Sequence, residues 1–235
     1  MLISHKYKFL TIDIPKNGTR SFRESLLPLG IIDQHGKPNL DAEFYQHDGA
    51  IRAKKQFVKN GWNWNEYFKF TIVRNPWQRY FSFFKYFKQK SERYVNSKLM
   101  GAYLNSKSNV WQHSGLYQNW INQEIDDCRQ SFDLFSSSGN DQTVLKNIIL
   151  NNDSQDTYYC NEIEEIIVDH IAEFENLQNE FVFLCNQVGI QAPSLRHGNK
   201  SSNSFNMHDI YNQELIDLVA DKEKSVIQLN GYDFI

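Results

Sequence analysis

The sequence predicts an α/β fold: a parallel central sheet flanked by helices. Three observations carry that expectation. Two short apolar, β-branched and aromatic runs, Tyr7–Ile14 and Phe68–Arg74, read as buried strands. Each runs straight into a turn and then a segment with helical apolar spacing, and strands alternating with helices argue for parallel pairing. No internal repeat competes with this plan, and 235 residues with 40 % hydrophobic and 14 % aromatic content suffice for one well-filled domain, expected over 1–235.

Taken in order, Tyr7–Ile14 is the first strand, closed by Pro15, and Gly18 gives the turn. Thr19–Leu27 follows as a helix through Phe22, Leu26 and Leu29, stopped by Gly30. Residues 31–43 form a polar connection, and Gln46–Val58 a short helix. Phe68–Arg74 is the second strand, and Asn75-Pro76 opens the next helix, with Asn75 as N-cap and Pro76 where its missing N–H is harmless. Trp77, Tyr80, Phe81, Phe84 and Phe87 form the core stripe of that helix. The stretch 91–157, rich in Asn, Ser and Gln, shows one periodic piece near Leu116–Ile125, with a loop expected at Ser136–Gly139. Ile166–Phe174 fits helix or strand on pattern alone. Asn176 is the expected cap of a helix ended by Gly189. After a loop at Pro193–Asn206, a last helix is expected over about Asp209–Lys224.

Charge narrows the function. A net charge of −3 and a pI near 6.2 disfavour a broad basic nucleic-acid surface, so an anion site must come from a few placed residues. Cys128, Cys160 and Cys185 are far apart, without Cys-x-x-Cys or zinc-like spacing, and read as free thiols. The N-terminal residues lack a signal pattern and no apolar run reaches membrane length, giving the expectation of a cytoplasmic protein with no membrane segment.

The segment Pro15-Lys16-Asn17-Gly18-Thr19-Arg20-Ser21 runs a strand into a glycine turn and a helix start. Unpaired N–H groups and the helix dipole favour an anion there, glycine admits close approach, and Lys16 adds a full charge. Alone, such a turn reads more often as an ordinary strand–turn–helix corner with a surface lysine. It lacks Gly-x-x-x-x-Gly-Lys-[Ser/Thr], which disfavours a nucleotide triphosphatase loop. Asn75 and Ser82 stand seven residues apart, so they share one face of their helix with Arg79 beside them and the aromatic stripe turned away. The strand-end Arg74 and this face suggest a second anion site.

These segments, with Phe174-Glu175-Asn176-Leu177, His197-Gly198-Asn199-Lys200-Ser201 and the closing Asn230-Gly231-Tyr232-Asp233-Phe234, resemble the successive signatures of carbohydrate sulfotransferases of the 2-O-sulfotransferase and HNK-1-type group, over about residues 7–234. The resemblance implies a P-loop-like sulfotransferase fold and the donor 3′-phosphoadenosine 5′-phosphosulfate (PAPS), whose product is adenosine 3′,5′-bisphosphate. Lys16, Asn17, Gly18, Thr19, Arg20 and Ser21 would cradle the 5′-phosphosulfate, and Arg74 and Ser82 the 3′-phosphate. Lys200 and Ser201 would belong to a segment covering the donor. Asn17 and Arg20 stand where relatives often carry small hydroxyl residues. The acceptor would be a hydroxyl, of a carbohydrate by this resemblance.

In-line sulfuryl transfer needs a base for the acceptor proton and positive charge at the leaving oxygen, and no metal is expected for either. Lys16 fits the second role. Of seven histidines, His47 lies in Gln46-His47-Asp48-Gly49, which resembles the family's base-bearing stretch; His113 is the alternative, and His197 belongs to the covering segment. Glu175 reads as structural. The competing readings are an ATP-dependent kinase-like phosphotransferase, disfavoured by the missing Walker lysine, and a non-catalytic nucleotide- or glycan-binding module.

Overall fold

The structure, a computed structural model, describes residues 1–26, 47–111, 117–195 and 205–235. Its sheet has four strands in the order β1 (Leu2–Ser4), β2 (Phe9–Ile12), β3 (Phe68–Val73) and β4 (His170–Glu173). β2, β3 and β4 run parallel, in the register Thr11↔Phe70 and Thr71↔Ile171, as expected for the two long runs. The segment with ambiguous pattern contributes β4, and β1 is an antiparallel edge strand that the sequence reading did not anticipate. Three residues are too few to show alternation, and Leu2, Ile3 and Ser4 are all buried.

The chain packs as two compact units. The first comprises Met1–Arg79, Asp153–Lys200 and Val219–Ile235 and contains the sheet. Strand residues alternate in direction, so each face of the sheet takes its own helices. On one face Phe9, Phe70, Ile72 and Ala172 pack with Phe22 and Leu26 of α1 (Thr19–Leu26) and with Phe181, Leu184 and Cys185 of the helix Leu177–Gln187. On the other, Leu10 and Ile12 meet Ala50, Ala53 and Phe57 of α2 (Ala50–Lys59), a helix whose buried residues recur at i, i+3 and i+7. Strands buried on both faces explain why β2 and β3 read as unbroken apolar runs.

The second unit comprises Tyr80–Asn152 and Ser201–Leu218. It holds most of α3 (Pro76–Val95), then α4 (Ser97–Trp111), α5 (Tyr117–Ser138) and α6 (Asp141–Asn151). Phe84 packs 5.5 Å from Phe135 and 6.0 Å from Phe205, ring centre to ring centre. Lys90, nearly sealed from water, pairs with Glu124 and Asp127 of α5. The expected loop at Ser136–Gly139 is instead the end of α5. Ser137 and Ser138 satisfy their hydroxyls on carbonyls one turn back, so serine composition misled there, and only Gly139, at φ +77°, leaves the helix.

Among the described residues, two helix ends follow their sequence signals and others depart from them; the expected stop at Gly30 lies outside the described residues. Asn75 caps α3 by accepting the Gln78 N–H at 3.2 Å. In α7 (Leu177–Gln187) Gly189 adopts φ +69°, and the Gly189 and Ile190 N–H groups close back on Asn186 and Cys185. Asn176 precedes α7 without capping it; its side-chain oxygen instead accepts from the Asn179 amide. The expected last helix divides into α8 (Met207–Ile210), α9 (Gln213–Lys222) and α10 (Lys224–Asn230). The break between the last two falls at Glu223, which is fully buried. All three cysteines are free thiols.

Arg79 and Glu223, both 0 % exposed, meet at 2.9 Å. Arg79 also donates to the carbonyls of Asp153 at 3.0 Å and Pro15 at 3.3 Å. Removing one partner of a dry ion pair strands the other charge. Arg79→Met is therefore expected to lower folding stability by about 3–5 kcal/mol in chemical denaturation, with the double variant Arg79→Met/Glu223→Leu recovering part of the loss. An Arg79→Met variant as stable as the parent would contradict this role.

Candidate active site

In the first unit, β2 and β3 end side by side, and both expected anion motifs leave the sheet at those carboxyl ends, where open α/β sheets hold ligands. After β2 the chain turns through Lys16 at φ +73° and Gly18 at φ +78°. A left-handed lysine is an uncommon and strained conformation, of the kind that surrounding structure must enforce. It is enforced here by Asn17, which is fully buried beneath the turn and donates to the Ile72 carbonyl of β3 and to the Gln155 side chain, both at 2.7 Å. The Asn17 side chain thus anchors the turn and faces the interior.

Gly18 has a second reason to be glycine. A Cβ there would come within 2.7 Å of the Phe174 ring. That ring in turn lies under the Arg74 guanidinium, 4.2 Å from its centre. Phe174 is therefore the floor that joins the two anion motifs: Gly18 lies against its edge and Arg74 on its face. α1 begins at Thr19 directly after the turn, and the Ser21 N–H closes on the Gly18 carbonyl at 2.9 Å, which leaves the Thr19 and Arg20 amides ahead of any intrahelical acceptor. Thr19 and Ser21 are buried, whereas Arg20 is exposed and paired with Glu24 one turn on, which directs its charge along the outside of α1.

Arg74 is held on several sides. Its backbone N–H donates to Gln155 at 2.9 Å, its carbonyl accepts from Gln155 at 2.9 Å, and its Nη1 donates to the Lys16 carbonyl at 3.3 Å. Burial draws its pKa down to about 10, with the Glu175 carboxylate and Tyr232 opposing the fall. Its Nε is buried and has no hydrogen-bond partner. A buried guanidinium donor left unmet is costly, so this atom is a candidate contact for a bound anion.

Glu175 ties two segments together. It accepts the Asn75 N–H at 2.9 Å and the Tyr232 hydroxyl at 3.0 Å, which binds the start of α3 to the closing segment. Asn75 also donates to the Asp233 carbonyl at 2.8 Å, and Phe234 packs on Trp77. Ser82 is half-buried two turns into α3.

His47 stands just before α2, its Nδ1 2.9 Å from the Asp13 carbonyl at the end of β2. A carbonyl can only accept, so Nδ1 carries the proton and Nε2 holds the lone pair of the neutral ring. His47 is exposed at its surface, yet desolvation pulls its pKa below the ordinary 6.5, opposed by its hydrogen bond to the Asp13 carbonyl. Asp13 beneath it is buried and meets Arg23 and the Thr11 hydroxyl. His170 bonds Glu180 at 2.8 Å and His5 bonds the Tyr67 hydroxyl at 2.6 Å, so both are tied into packing. His113, His197, Lys200 and Ser201 lie outside the described residues.

Sequence reasoning missed Gln155 and Glu223. Both are fully buried polar residues, and Glu223 accepts from Arg79, from the Gln155 backbone and from Ser154. Neither sits in a motif; only their place at the edges of apolar segments could have marked them.

No helix among the described residues is long and apolar enough to cross a membrane. No curated protein and no solved structure matches the chain. A family model described as "Sulfotransferase family" matches residues 1–231, nearly the whole sequence, including both strand–turn–helix motifs and the His47 stretch. The chain belongs to the sulfotransferase family.

Proposed function

We propose that the protein moves the sulfuryl group of PAPS to a hydroxyl of a carbohydrate acceptor, with His47 as the base. The observation that carries this reading is Arg74: a half-buried guanidinium seated on Phe174, its covered Nε unpartnered, one hydrogen bond from the Lys16 turn. Two cationic corners so close suit a nucleotide charged at both its 3′ and 5′ positions. The Lys16–Ser21 turn would hold the 5′ end and Arg74 the 3′-phosphate.

The donor supplies an activated sulfuryl group on a phosphate leaving group. Lys16 and the first-turn amides of α1 hold positive potential where that leaving oxygen gains charge, which is electrostatic stabilisation by preorganised groups. His47 accepts the acceptor's proton at Nε2, while the Asp13 carbonyl keeps Nδ1 protonated and the ring oriented. Its lowered pKa keeps the imidazole neutral, and so competent as a base, at neutral pH.

Calorimetric titration tests the donor assignment. Adenosine 3′,5′-bisphosphate is expected to bind more tightly than ATP with magnesium, and Arg74→Ala to lose most of the preference for the bisphosphate over adenosine 5′-monophosphate. A parent that prefers ATP would support a phosphotransferase instead, and an unchanged preference in Arg74→Ala would remove Arg74 from the site.

For the base, transfer of labelled sulfate from PAPS to desulfated glycosaminoglycan is the measurement. His47→Ala is expected to lose roughly 10²–10⁴ in kcat while its bisphosphate affinity stays within a few-fold of the parent's. In the parent, activity should hold as pH falls to 6.5 and drop only below it, because the folded-state pKa lies under that value. Near-parental turnover in His47→Ala would place the base elsewhere, with His113→Ala the next variant to measure.

A further inference from the structure

We propose that Gln155 is a positioning residue: it fixes the separation of the two anion corners, and through that separation the selectivity for a nucleotide phosphorylated at both ends. The inference rests on the donor reading above and adds to it a residue that neither motif contains.

The β2–β3 ladder pairs Ile12 with Thr71, and past that point the two chains leave the sheet by different routes. One route becomes the Lys16–Gly18 turn and the other becomes Arg74. Beyond the ladder, the Gln155 amide joins them. Its Oε1 accepts from Asn17 Nδ2 at 2.7 Å and from the Arg74 N–H at 2.9 Å, and its Nε2 donates to the Arg74 carbonyl at 2.9 Å. The side chain is fully buried, so water does not take over these bonds.

The orientation of the amide is also determined. Glu223 accepts from the Gln155 backbone N–H at 3.1 Å and lies 3.4 Å from Nε2. A carboxylate is an acceptor only, so Nε2 must face Glu223 and Oε1 must face the two donors. Arg79 fixes Glu223 from the other side and reaches the Pro15 carbonyl at the base of the turn. Glutamine therefore meets a requirement for one donor face and one acceptor face at this position. Glutamate would lose the donor and set a second carboxylate against Glu223, and methionine would fill the space with neither.

A nucleotide's 3′ and 5′ groups are joined through one ribose. The second contact adds affinity only when the protein's two corners match that span, as in any two-point attachment. Loosening the clamp should thus weaken the bisphosphate far more than the monophosphate, which needs only one corner. General destabilisation would weaken both alike.

The test is calorimetry on the full-length chain with adenosine 3′,5′-bisphosphate and adenosine 5′-monophosphate, for the parent, Gln155→Met and Gln155→Asn. The ratio of the two dissociation constants is expected to fall by about tenfold or more in Gln155→Met, with monophosphate affinity changed less than about threefold. Gln155→Asn keeps the amide but shortens its reach by one methylene, and should show the same loss of ratio if Gln155→Met does not fold. A selective parent whose variants keep the parental ratio, or lose both affinities together, overturns the positioning role alone. A parent with no preference for the bisphosphate overturns the donor reading and this inference with it.

Discussion

The site depends on a buried carboxylate. Glu223, near the end of the chain, gathers Arg79 from the start of α3 and Gln155 and Ser154 from the segment before β4, and it, Arg79 and Gln155 are fully buried. A dry ion pair of this kind is a weak source of net stability but a strong constraint on geometry, since each member must keep its partners or bear a desolvated charge. Arg79 passes that constraint to the Pro15 carbonyl and Gln155 passes it to Asn17 and Arg74, so residues scattered from 15 to 223 are held as one rigid frame. Catalysis that relies on placed charges needs such a frame more than it needs flexible reach.

A second chain of contacts, steric where the first is electrostatic, reinforces it. Gly18 lies so close to Phe174 that no side chain fits, and Phe174 supports Arg74 from below. The glycine of the turn thus serves the approach of an aromatic ring, as well as the left-handed backbone that its motif implied. The two anion motifs, far apart in sequence, share one aromatic surface. Arg74 lies over that ring with its Nε unmet, which leaves one guanidinium donor open beside the turn.

Much of this was legible in the sequence because apolar runs and helix caps are local signals. β2 and β3 could be read from their β-branched runs, the α3 start from Asn75-Pro76, and the α7 stop from Gly189. β1 was not legible because a three-residue edge strand carries no period. The polar stretch 91–157 hid long helices, since among its described residues Ser137, Ser138 and Asn151 satisfy their side chains on backbone carbonyls one turn back. In the site, Lys16, Gly18, Arg74 and His47 stood in recognisable motifs, and the structure places them at the ends of β2 and β3. Asn17 and Arg20 belonged to the same motif, yet one turns inward and the other outward, because a motif fixes backbone shape before it fixes each side chain's direction. Gln155 and Glu223 were invisible, since their partners come together only in three dimensions.

The most direct test of the two-corner account is a crystal structure with adenosine 3′,5′-bisphosphate bound. The account expects the 5′-phosphate on the Lys16–Ser21 turn at the start of α1, and a 3′-phosphate oxygen within hydrogen-bonding distance of Arg74 Nε. A nucleotide bound away from both corners, or one that leaves Arg74 Nε without a partner, would contradict it.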